Sequence, residues 1–129
     1  MTEESRKEIV KLQFEKANRF LKQADRMLEE SDFDMAANRY YYACYHAIQG
    51  LFINDGLSCH THRGLHQMLG QNYVISGKFD STLAGIFRTM EQLREKADYN
   101  CAYNITEAEA REMQNPSHLI IEQAKELTK

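Results

Sequence analysis

Tryptophan is absent from this sequence, proline occurs once and glycine only six times in 129 residues. So few backbone breakers argue against a strand-and-turn architecture, which places glycine or proline at most chain reversals. An excess of one charge is missing as well. Lysine and arginine number 16 against 19 acidic residues, a formal net charge of −3. No global field therefore points to nucleic acid, and a basic cleft has to be argued residue by residue. The three cysteines are an odd number without framework spacing, which fits a reducing cytoplasm. No apolar run approaches the roughly 18 residues of a membrane span, and the charged start of the chain is unlike a signal peptide. There is no internal repeat, glycine-rich phosphate loop, serine triad or pair of catalytic acids, so no membrane and no cofactor are expected.

What is present is helical periodicity, enough for one domain, 1–129, with one core. A first helix is expected over 4–30. Ile9, Val10, Gln13, Ala17, Phe20, Leu21, Ala24, Met27 and Leu28 form its inward face. Its outer face mixes Lys7, Lys11, Lys22 and Arg26 with Glu4, Glu8, Glu15 and Glu29, a solvated surface rather than a phosphate stripe. After a short turn, Asp32 or Asp34 caps a second helix ending near Asn54-Asp55-Gly56. Thr61 caps a third over 62–73, and Asp80 or Ser81 caps a fourth ending near Tyr99. Thr106 with Glu109 is a capping box opening the last helix, which Pro116 should kink or interrupt. Beyond it, Leu119, Ile120, Gln123, Ala124 and Leu127 continue an inward face. The expected fold is all-α, an antiparallel up-and-down bundle of four to five helices including a short extra one.

Two polar intrusions into apolar faces stand out. The run from Ala36 to Ile53 is apolar or aromatic except for Asn38, Arg39, Tyr42, His46 and Gln49, which share roughly a third of the helical circumference. Tyr41 and Tyr45 fall on the packed side, as core or dimer contacts with hydroxyls reaching polar partners. A polar stripe on a buried helix must face a cleft, a partner or another polar group. For Arg39 and His46, a hydrogen-bonded histidine beside a buried ion pair weighs against a phosphate-contacting pair. The second intrusion is Arg94, inside the row Leu83, Ile86, Phe87, Met90, Leu93 and Ala97, with Asp98 one turn on as a carboxylate partner. Cys59, His60, His62 and His66 are ligand types within eight residues. One short segment is a poor source of a tetrahedral site, and no metal is expected there.

The motifs Asn38-Arg39-Tyr40-Tyr41-Tyr42-Ala43 with His46, Thr61-His62-Arg63-Gly64, and Arg94 with Asp98-Tyr99 resemble the HEPN domain family, in its small stand-alone prokaryotic branch. The resemblance implies a helical bundle that dimerises around a polar cleft. It also implies either a toxin that cuts RNA without metal or a partner of a minimal nucleotidyltransferase. Active ribonucleases of the family place a histidine four to six residues beyond the arginine. Here that window holds Tyr99, Asn100 and Cys101, so the usual histidine is missing. Members modified by the nucleotidyltransferase carry a tyrosine two positions past that histidine, where the longest spacing puts Tyr103.

The reading favoured is a nucleotide- or RNA-associated homodimer, non-catalytic or weakly active, with a cleft built from Asn38, Arg39, Tyr42, His46, Arg94, Asp98 and Tyr99. Its expected partner is a minimal nucleotidyltransferase. The alternatives are a metal-independent endoribonuclease using Arg94, with His46 or His62 in place of the missing histidine, and a purely structural helical subunit.

Overall fold

In the computed structural model, which describes residues 1–129, every α-helix after the first starts at a residue the sequence marks as a cap, and the first finds its own in Thr2. Thr2 caps α1 (Glu3–Glu29), Asp32 caps α2 (Phe33–Asn54) and Thr61 caps α3 (His62–Leu69). Asp80 caps α4 (Ser81–Tyr99), and the Thr106/Glu109 box opens α5 (Glu107–Glu126). In each case a side-chain oxygen accepts from a backbone N–H of the first turn. The third helix ends sooner than periodicity suggests. It gives way after Leu69 to a wider π turn, Gly70–Val74.

Side-chain bonds fix the directions of the helices. Arg6 reaches the Ile53 carbonyl, Gln13 meets His46 and Gln23 meets Arg39, so α1 and α2 run antiparallel. Asp80 meets Gln123, and Met90 and Met113 line one groove, so α4 and α5 are antiparallel too. Asp34 meets Ile105 and Cys44 meets Ser117, which sets α5 alongside α2 in the same direction. The result is a four-helix up-and-down bundle with α3 as the short extra helix.

α2 is the central rod. From Ala36 to Gly50 every side chain is buried except Asn38, Arg39, Tyr42, Tyr45, His46 and Gln49. Gly50 permits the close approach of α1, because a Cβ there would meet Phe14 Cε2 at 2.9 Å. Phe14 is the core residue that the periodicity missed, and Ile9, expected inward, lies on the rim, 36% exposed. At the other end Leu119 is 42% exposed and Ile121 takes the buried place. Both corrections have one cause. An apolar stripe fixes a helix's inward direction to within about one residue of rotation, and the neighbouring helix selects among the candidates. Pro116 does not interrupt α5, which continues unbroken through it.

Candidate functional site

Arg94 is the centre of the site. Its Nε and Nη2 donate to Glu91 Oε2 and Oε1 at 3.2 and 3.0 Å, a bidentate fork, and Nη1 donates to Asp98 Oδ2 at 2.6 Å. The guanidinium carbon lies 5.4 and 5.5 Å from the ring centres of Tyr41 and Tyr42, a cation–π arrangement. Glu91 and Arg94 are side by side on α4 and only 13% and 11% exposed. Burial disfavours the Glu91 charge, but the hydrogen-bonded guanidinium and the Tyr41 hydroxyl outweigh it and hold its carboxyl below the usual range. Sequence reasoning assigned Arg94 to Asp98 and passed over Glu91. The spacing of three from Glu91 to Arg94 was the available signal.

Tyr41, buried in the core, carries the next layer. Its hydroxyl lies 2.9 Å from His62 Nδ1 and 3.2 Å from His66 Nε2. A phenol has one proton to give, so at least one of these bonds is donated by an imidazole N–H. Burial first, then the nearby Arg88 guanidinium, lower the His66 pKa to about 4 against the pull of Glu91, and the ring is neutral. His62 is about a third exposed. Its Nδ1 is 3.7 Å from Glu91 Oε2, and its Nε2 has no protein partner. Thr61 sets this geometry by capping α3, and Gln49 pins the preceding loop by donating to the Cys59 carbonyl at 3.2 Å.

These groups line an open groove of about 490 Å³ between α3 and α4. Its walls are His62, Arg63 and His66 on one side, and Arg88, Glu91, Gln92, Arg94 and Glu95 on the other, with Tyr99 at the rim. Three arginines face two carboxylates there. Arg94 uses three of its five N–H groups on Glu91 and Asp98, which leaves two for a ligand. The arrangement suits an anion small enough to enter from the groove, such as a phosphodiester.

The other expected cleft residues divide. Tyr42, Asp98 and Tyr99 gather around Arg94 or the groove rim. Asn38, Arg39 and His46 turn toward α1 instead. Arg39 donates to Gln23 Oε1 at 3.0 Å and to Asn38 Oδ1 at 2.8 Å, and sits 4.8 Å over the Phe20 ring. His46 Nδ1 meets Gln13 Oε1 at 2.9 Å. No buried ion pair stands beside His46, because amide oxygens and an aromatic face take that place. Tyr103 is elsewhere, donating to Glu109 at 2.7 Å within the α5 cap. Tyr45, placed by periodicity on the packed side, is half-buried, and Gln49 donates to its hydroxyl.

The four candidate metal ligands also diverge. Cys59 donates to the Thr61 carbonyl, His60 pairs with Ser58, and only His62 and His66 share a partner, which is Tyr41. No cluster of three or more His, Cys, Asp or Glu has metal-holding geometry. No helix is long and apolar enough to cross a membrane.

The HEPN domain family matches residues 10–127. The "Putative toxin MJ0142" of Methanocaldococcus jannaschii is 22% identical over 120 residues, 93% of this chain and 81% of that protein. The "Putative toxin MJ0605" of the same archaeon is 28% identical over 129 residues, all of this chain and 95% of that one. Among solved structures, TT1696 from Thermus thermophilus superposes with a TM-score of 0.78 at 18% identity, over 92% of this chain and 97% of its own. That likeness concerns the fold.

Proposed function

The chain belongs to the HEPN domain family, and from that premise we propose that it is the RNA-associated member of a toxin–antitoxin-type pair, holding a phosphodiester in the α3–α4 groove. The observation that carries this reading is Arg94, largely buried at the groove floor and braced by Glu91 and Asp98, with two N–H groups still unpaired. Arg63 and Arg88 on the walls supply further charge for a phosphate. The toxin names of two relatives support the biological setting. A homodimer in the cytoplasm, paired with a minimal nucleotidyltransferase, completes the proposal.

One observation favours a second reading, catalysis. His62 shares the groove with Arg94, and its Nε2 is free. In metal-independent cleavage, a base takes the 2′-hydroxyl proton, the oxygen attacks phosphorus to give a cyclic phosphate, and the leaving oxygen is protonated by solvent. Arg94 would stabilise the phosphorane charge and His62 would be the base, in the role of the histidine missing after Arg94.

The test is binding and cleavage of RNA in EDTA by the wild type and an Arg94→Gln/Glu91→Gln variant, which replaces the ion pair with amides. Binding lost in the variant, without cleavage by either protein, is the expected result. Cleavage by the wild type alone, abolished by His62→Gln, would move the assignment to the nuclease. Equal binding by wild type and variant would remove the groove as the site.

A further inference from the structure

The imidazole of His62 is held in a fixed pose by aromatic packing. The Tyr41, Tyr42 and Tyr45 rings of α2 stand around it, with centroids 5.7, 5.9 and 5.0 Å from its own. Tyr42 meets it edge to face, and the other two are tilted against it. Three rings set the plane of the imidazole, and the Tyr41 hydroxyl, 2.9 Å from Nδ1, sets which edge turns inward. Nε2 lies on the other edge, unpaired, in a side chain that lines the groove.

Two oxygens face the inner edge, and one of them carries charge. Besides the Tyr41 hydroxyl, Glu91 Oε2 lies 3.7 Å from Nδ1. Both Glu91 oxygens accept from the Arg94 fork, at 3.0 and 3.2 Å, which favours the ionised carboxylate. A carboxylate in that state only accepts. A bare Nδ1 would aim its lone pair at this negative charge, whereas an Nδ1–H is attracted to it. Nδ1 therefore carries the proton and donates to the Tyr41 oxygen. The phenol's own proton goes to His66 Nε2, 3.2 Å away, or to Glu91, and either direction leaves the bond from His62 unchanged. A neutral imidazole has one N–H, so Nε2 keeps its lone pair. Free neutral histidine in water prefers the reverse, with the proton on Nε2.

We infer that Glu91, acting across the Tyr41 hydroxyl, is a positioning residue that holds the proton of neutral His62 on Nδ1, and that the bare Nε2 accepts from the 2′-hydroxyl of a ribose whose phosphodiester lies on Arg94. This rests on the groove reading above and deepens it, because a 2′-hydroxyl is the group that deoxyribose lacks. Glu91 joins the two halves of the contact, since one carboxylate braces Arg94 and faces His62. The opposite tautomer would point an N–H at the ligand and could take no proton from it. With Nε2 bare, the same hydrogen bond is the first stage of proton removal. If the proton transfers, the ring becomes an imidazolium with both nitrogens protonated, and the Glu91 carboxylate offsets its charge.

The experiment is long-range proton–nitrogen NMR on the full chain, labelled at its histidine nitrogens, at about pH 8, where an ordinary imidazole is neutral. The signals of His62 are those lost in His62→Gln. Nδ1 should be protonated and Nε2 bare in at least about nine-tenths of the wild type. In the Arg94→Gln/Glu91→Gln variant, folded by circular dichroism, about half or more should carry the proton on Nε2 instead, a change that a merely structural carboxylate would not produce. Titrating the wild type with uridylyl-uridine should shift the Nε2 signal, and the 2′-deoxy form of the same dinucleotide should bind about three-fold weaker or more. A wild-type His62 protonated on Nε2 overturns the inference, and so does a variant that keeps the wild-type tautomer. Equal binding of the two dinucleotides overturns the 2′-hydroxyl contact, while the groove stands if both depend on the Arg94–Glu91 pair. Binding of neither dinucleotide overturns the groove reading and the ribose contact with it, and the spectrum of the free protein still decides the tautomer.

Discussion

At the scale of single residues, the site is a set of groups that satisfy one another. Removing one partner therefore costs more than removing both. Arg94→Ala leaves the Glu91 carboxylate shielded and without its fork, and should destabilise the fold by about 2–3 kcal/mol in urea unfolding. The Arg94→Gln/Glu91→Gln pair should recover a substantial part of that loss. Histidine burial gives a prediction with a definite sign. His46 and His66 titrate near 4 in the folded chain, against 6.5 for the free group, and both are neutral when folded. Between those values the unfolded chain binds more protons, so the stability they contribute is complete above pH 6.5 and is lost as pH falls toward 4. Around His46 the charged groups are Lys16 and Arg19; around His66 they are Arg88 and Glu91, with His62 as a further titratable neighbour, and only Glu91 opposes the shift. Melting temperatures of the wild type should drop across this window. A His46→Gln/His66→Gln variant should show a flatter profile, and parallel curves would refute the assignment.

At the scale of elements, helix contacts decide what a substitution does, and two glycines show it. Gly50 lies where α1 and α2 touch, and a methyl group there would press on Phe14. Gly50→Ala should cost about 1–3 kcal/mol through overpacking, in spite of alanine's better helix propensity. Gly85 lies on the open side of α4, with no atom within 4 Å of the place a methyl group would take. Gly85→Ala should raise stability by about 0.5–1 kcal/mol for the propensity reason alone. Opposite shifts in the urea midpoint are the expected result. The α5 start is a third case. Thr106→Ala removes the oxygen that caps the helix and half of the box with Glu109, and should cost about 1 kcal/mol.

At the scale of the whole molecule, one contiguous core joins all five helices, with Tyr40, Tyr41 and Tyr73 inside it. A chain of this size with a single core should unfold in one step. Tyrosine fluorescence, unobscured because tryptophan is absent, should change at the same denaturant concentration as far-ultraviolet circular dichroism. A separate tyrosine transition would mean that the α3–α4 side opens on its own. The groove belongs to this scale too, since α3 and α4 supply its walls and Tyr41 of α2 anchors its histidines.

Much of the fold was legible in the chain. Caps are local chemistry: Thr61, Asp80 and Thr106 needed only their own first turns to mark a helix start. Periodicity identified α2 as the buried helix, with Arg94 as an intrusion on α4, because burial repeats along a helix whatever covers it. The rotation of α1 was less legible, and Phe14 and Ile9 exchanged roles for that reason. The unbroken course through Pro116 depended on context that propensity does not contain.

The site was legible only in part. The sequence determined which residues were out of place in their faces, since an arginine in an apolar row violates a pattern whatever lies opposite. It had no means of deciding what lay opposite. The antiparallel α1–α2 pairing gave Arg39 and His46 to Gln23 and Gln13, and α3 packing against α2 gave His62 and His66 to Tyr41. Asp25 shows the same division from the other side. Its charge is written in the sequence, but its direction was set by Tyr40 and His118 on two other helices, which only the packed bundle brings to it.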